Sequence, residues 1–159
     1  MMSTDMKRRI FLKGSLAAGA VGMAAGAGLL MPQQVLAAWP SAAFEAKEVP
    51  AALSALMGSD TSEPSTDIRV KAPDIAENGA VVPVTVETSI GGVESIAIIA
   101  SNNPVPLVAS FNLGQGASGF VSTRIKMGKT GDVIGVVKAG GKLYSARKGV
   151  KVTIGGCGG

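Results

Sequence analysis

From residue 68 onward the chain is written in short runs rich in β-branched residues, each closed by turn formers, and this punctuation leaves little room for anything but a β-fold. The runs span residues 68–72, 81–88, 93–100, 105–113, 120–127, 133–139, 142–147 and 150–154. Between them stand Asn78-Gly79, Gly91-Gly92, Asn103-Pro104, the glycine-rich 114–119, 128–131, Gly140-Gly141 and Gly149, residue types that supply turn conformations. Seven or eight strands at this spacing predict an all-β fold, an antiparallel sandwich. Pro83 and Pro106 interrupt two runs and belong at sheet edges or bulges, because proline cannot donate to a ladder. Upstream the periodicity is helical: Pro50, then residues 51–57, then Gly58 predicts one short N-terminal helix burying Leu53, Leu56 and Met57. Residues 60–66 read as a polar turn. With 159 residues, no internal repeat and no long linker, a single domain is expected.

The N-terminus follows different rules. Lys7-Arg8-Arg9-Ile10-Phe11-Leu12-Lys13 sets a twin arginine before a weakly apolar Gly/Ala-rich stretch over residues 14–31, and Val35-Leu36-Ala37 offers small residues to a signal peptidase. Residues 1–37 read as a Tat signal with Arg8 and Arg9 as its export determinant, residues 38–154 as the domain, and residues 155–159 as an arm. Periplasmic localisation follows, with no membrane association after signal cleavage. A membrane anchor is the competing reading, since the stretch is close to the length of a span.

Removing residues 1–37 takes away four basic side chains and one acidic, which lowers the net charge from +4 to +1. Nothing in that balance calls for nucleic acid. The remaining charge is lopsided: residues 38–123 carry three basic and nine acidic groups, residues 124–159 eight basic and one acidic. Arg124, Lys126, Lys138, Lys142, Arg147, Lys148 and Lys151 form either a steering surface beside the terminal cysteine or a solvated face.

Most catalytic chemistry is excluded by what the chain lacks. With no histidine and one cysteine it cannot supply a usual zinc site, a Cys-His pair or a Ser-His-Asp triad, and no cofactor or metal site is expected. Gly114-Gln115-Gly116-Ala117-Ser118-Gly119 matches a dinucleotide-binding pattern but is followed by a strand rather than the helix that would hold a pyrophosphate. Gly128-Lys129-Thr130 lacks the upstream glycine of a phosphate loop, Thr123 standing there, and reads as a hairpin turn. Asp74, Glu77, Glu87 and Glu94 alternate with strand residues as a solvated face does.

Cys157 is the remaining candidate. In an exported protein a lone cysteine is free, paired with another chain, or chemically loaded. Gly155, Gly156, Gly158 and Gly159 around it predict a flexible, narrow arm, and three extended residues past a strand ending at Ile154 carry the thiol about 10 Å from the domain. No base adjoins it in sequence, so activation of the thiol falls to a partner.

The Tat signal, the short helix before the strands and the closing Gly155-Gly156-Cys157-Gly158-Gly159 together resemble the SoxY family, carriers of the bacterial thiosulfate-oxidising system. The resemblance covers essentially the whole chain and is most specific at the pentapeptide. It implies an immunoglobulin-like sandwich, a heterodimer with SoxZ, and sulfur intermediates held on Cys157 as thiosulfonate-type adducts, the chain itself being no enzyme. It further implies transient docking to the c-type cytochrome SoxAX, which attaches thiosulfate oxidatively, to the manganese hydrolase SoxB, which releases sulfate, and in some systems to a sulfane dehydrogenase. The apolar runs 81–88 and 93–100, taken as outer strands, point to an interface of this kind, with no sequence signal for which face it uses. Two other classes stay open: a sandwich cross-linked to a neighbour through Cys157, and a small thiol enzyme such as a sulfurtransferase.

Overall fold

The computed structural model describes residues 39–153, and its order is two helices followed by nine strands. The helices are α1 (Ser41–Glu45) and α2 (Val49–Met57). The strands are β1 (Glu63–Pro64), β2 (Ile68–Lys71), β3 (Ile75–Ala76), β4 (Val82–Thr88), β5 (Val93–Ala100), β6 (Leu107–Asn112), β7 (Phe120–Ile125), β8 (Gly131–Ala139) and β9 (Lys142–Val152). One sheet runs β1-β9-β8-β5-β6, with β3 also on β9, and the second runs β2-β4-β7.

Helix α2 begins one residue before Pro50, which sits in its first turn, and ends where Gly58 takes φ 82° and donates its N–H to the Ser54 carbonyl. Its buried residues are Ala52, Leu53 and Met57, while Leu56 is half-buried. Together with Ala43 of α1 they pack on Ala97, Ile99, Leu107, Val136 and Leu143, covering one face of the larger sheet. The opposite face of that sheet, through Ile96, Ile98, Ala100, Val133, Val137 and Val150, meets Ile68, Val82, Val84, Val86, Val121 and Ile125 of the smaller sheet. The result is three layers: helices, large sheet, small sheet.

Strand β5 therefore has apolar partners on both sides, and Ile96, Ile98 and Ile99 are fully buried, each worth roughly 1.5–3 kcal/mol of apolar transfer. This corrects the expectation that runs 81–88 and 93–100 are outer strands. β5 lies between β8 and β6, β4 lies between β2 and β7, and their apolarity is spent on the core. Close approach of the two sheets depends on Gly135, where an added Cβ would stand 2.9 Å from Val86 Cγ1 and 3.0 Å from Val70 Cγ2.

Several further expectations change. Residues 142–147 and 150–154 are not two strands, since Gly149 stays in register opposite Asp132 and β9 runs unbroken. β1 and β3, two residues each, pair parallel to β9, so the sandwich is not wholly antiparallel. Helix α1 was not legible at all, being five residues long without a side-chain cap. The prolines behave as expected: Pro83 lies where β4 has outrun β2 and pairs only with β7, and Pro106 precedes the edge strand β6 beside a register shift at Ile98/Ile99. No helix among the described residues is long and apolar enough to cross a membrane.

Candidate functional site

Cys157, the glycines 155, 156, 158 and 159, and the export residues Arg8 and Arg9 lie outside the described residues. What the structure does show is the place from which the Cys157 segment departs. β9 crosses the large sheet from the β8–β9 turn to Val152, and Thr153, the last described residue, stands four positions before the thiol.

Three loops meet at this end: 77–81 between β3 and β4, 101–106 between β5 and β6, and 126–130 between β7 and β8. They are tied to one another and to the strand end. The Thr130 hydroxyl accepts from the Val152 N–H at 2.9 Å and donates to the Val152 carbonyl at 3.3 Å. Asn102 Nδ2 donates to the Thr130 carbonyl at 2.8 Å, and Asn103 brackets the same loop, donating to the Lys126 carbonyl and accepting from the Gly128 N–H. The Met127 N–H donates to the Gly79 carbonyl at 2.7 Å, and the Thr153 N–H donates to the Ala76 carbonyl at 3.1 Å. A Cβ at Gly79 would collide with the Met127 carbonyl oxygen and stand 2.9 Å from Val152 Cγ1, so the loops close on the strand without space for a side chain. The hairpin expectation for Gly128-Lys129-Thr130 does not hold, because β7 pairs with β4 while β8 pairs with β5 and β9, so residues 126–130 carry the chain from one sheet to the other. The role of Thr130 was not legible either, because its partner is 22 residues away. Residues 114–119 are likewise a loop leading into β7 rather than into a helix.

The basic residues do not form one patch. Lys138 and Lys142 flank the β8–β9 turn, nine strand positions or about 30 Å along β9 from Lys151. Lys148 pairs with Asp74, whose carboxyl is held below its usual range first by that hydrogen bond and then by the ammonium charge. Arg147 meets Asp132 at 3.8 Å on the surface. Exposed Lys126, Lys129 and Lys151 remain at the Thr153 end without an ion pair among the described residues. The carboxylates are dispersed as a solvated face would be: Asp74 on Lys148, Glu87 on Arg69 and Lys71, Glu94 accepting from the Gly141 N–H. No group of three or more metal-binding side chains gathers among the described residues. An open depression lined by Thr66, Asp67, Arg69, Glu87, Thr88 and Ser89 lies at the opposite end of β4, away from Thr153.

Among the described residues the molecule is an all-β sandwich with helices on one face, its last strand tied into a ring of loops at Val152. The family model described as "Sulfur oxidation protein SoxY" matches residues 53–157. The chain belongs to the SoxY family of sulfur oxidation proteins. Among solved structures, the sulfur carrier protein SoxY from Chlorobium limicola f thiosulfatophilum shares 51% identity, with a TM-score of 0.59, covering 65% of this chain and 94% of that one. A structure of the bacterial superantigen toxic shock syndrome toxin-1 shares 11% identity at a TM-score of 0.40, covering 54% of this chain and 99% of that one, and carries no argument. Comparison with curated protein sequences gives no match.

Proposed function

We propose that this chain is a non-enzymatic carrier in thiosulfate oxidation, holding sulfur intermediates covalently on Cys157 and presenting them to partner enzymes. The observation that carries this reading is the family match, which runs through the sandwich and reaches residue 157. The solved relative at 51% identity is itself a sulfur carrier protein.

In this scheme the Cys157 thiol loses its proton and couples to the terminal sulfur of thiosulfate, forming an S–S bond. The two electrons released pass to a c-type cytochrome of the SoxAX kind. Hydrolysis by a manganese enzyme of the SoxB kind then cleaves the bond between sulfane and sulfonate, water supplying the oxygen, so that sulfate leaves and a persulfide stays on Cys157. A sulfane dehydrogenase, where present, would oxidise that sulfur. The chain's own share is to hold the adduct and deliver it, in a heterodimer with SoxZ. The Tat signal of residues 1–37 would place this work in the periplasm.

Intact mass spectrometry of protein isolated from cells oxidising thiosulfate is the direct test. Wild type should show additions of sulfur or thiosulfate. Cys157→Ser should show none and should not support thiosulfate oxidation with SoxZ, SoxAX and SoxB, while its thermal unfolding stays unchanged. Adducts on the serine variant would refute the assignment, and a disulfide-linked partner as the sole adduct on wild type would favour a cross-linking domain.

A further inference from the structure

The distance from Thr153 to Cys157 is bounded by the chain itself: four residues span at most about 14 Å even when fully extended. A partner that takes the thiol into an active-site cleft must therefore bring the mouth of that cleft against the surface around Thr153. That surface is the ring of loops 77–81, 101–106 and 126–130.

Two properties suit it to contact. It is tied together, as Asn102 and Asn103 hold the β7–β8 loop, Thr130 holds both polar groups of Val152, and Met127 holds Gly79, so little ordering cost remains on docking. It also carries a distinctive chemistry. Exposed Lys126, Lys129 and Lys151 outnumber the acidic groups there, since Asp74 is engaged by Lys148 and Asp132 by Arg147, and among the described residues at this end Glu77 is the one exposed acid without an ion pair. Exposed apolar side chains accompany the lysines: Val81, 50% exposed, precedes β4, and Ile75, 56% exposed, lies beside Lys151 in the β3–β9 pairing. The β8–β9 end, with Lys138 and Lys142, lies beyond the reach of the Cys157 segment.

We propose that this loop ring is the docking face for the enzymes that act on Cys157, and that it fits a cleft mouth rimmed by acidic side chains around an apolar spot. The proposal rests on the carrier reading above and adds to it where on the domain the enzymes sit and what their surface must look like. Charge on such a rim acts mainly on encounter, so its removal should appear in kcat/KM and in salt dependence.

The test compares two charge reversals of equal size in the full mature chain bound to SoxZ. The double variant Lys126→Glu/Lys129→Glu changes the ring, and Lys138→Glu/Lys142→Glu changes the opposite end. Loading of Cys157 by the thiosulfate-attaching cytochrome is followed by mass spectrometry at low and high salt, with alkylation by iodoacetamide and thermal unfolding as controls. The ring variant should lose about tenfold in kcat/KM at low salt, the loss shrinking as salt rises, while the opposite-end variant stays within about twofold and both alkylate like wild type. Equal losses from the two variants, or an undiminished rate from the ring variant, would overturn the docking assignment and leave the carrier reading standing. A wild-type chain that the cytochrome never loads would overturn both.

Discussion

Thr130 illustrates how one side chain can matter beyond its local setting. Its hydroxyl is donor and acceptor to the same residue, Val152, so it does for the end of β9 what a neighbouring strand would otherwise do. Thr130→Val keeps the shape and removes both bonds, at a cost of about 1 kcal/mol. Amide exchange at Val152 should accelerate in that variant and return toward wild type in Thr130→Ser, while exchange in β5 stays unchanged; unaltered exchange at Val152 would show that the strand end is held by other groups. Gly135 makes the complementary case of a missing side chain. Because a Cβ there would press on Val86 and Val70, Gly135→Ala should destabilise by about 1–3 kcal/mol, read from the urea midpoint, and an unchanged midpoint would mean that the sheets can separate at no cost.

Among the elements, β9 does the most to connect fold with function. It pairs with β8 from Lys142 to Val150, receives β1 at Tyr144 and Ser145, and receives β3 at Lys151 and Val152. The edge that would otherwise lie open is thus covered near both ends, which limits unwanted strand pairing. β5 owes its composition to another cause. The run from Ile96 to Ala100 is continuous rather than alternating because helices cover one face of the sheet and the β2-β4-β7 sheet covers the other. Most of these elements were legible as runs with turn residues between them. Two-residue β1 and β3 were not, because a pair of residues carries no periodicity, and they exist only through hydrogen bonds to β9.

For the whole molecule, export is the property that the N-terminal sequence proposes and the described residues do not touch. Replacing Arg8 and Arg9 together with lysine should leave the precursor in the cytoplasm, detected by fractionation and immunoblotting, and unimpaired export would remove the twin-arginine assignment. Since such a route carries folded proteins, SoxZ could accompany the chain without a signal of its own. Where SoxZ sits is a separate matter. The apolar strands β4 and β5 are internal, so the footprint of the proposed SoxZ partner is a question for crosslinking or exchange mapping.

The sequence by itself determined the fold class, most strand positions and helix α2 with its glycine cap, and it singled out Cys157 as the proposed chemical centre. Each of these is local: periodicity, turn chemistry and the chemistry of a single thiol are properties of neighbouring residues. Only the tertiary structure decided that β4 and β5 are interior, that Gly149 continues a strand, that the basic residues divide between two ends, and that Thr130, Asn102, Asn103 and Gly79 gather around Val152. Those facts depend on which distant segments meet. A valine run is the same string whether it covers a core or a partner, and a threonine in a turn gains its role from the strand that the fold brings against it.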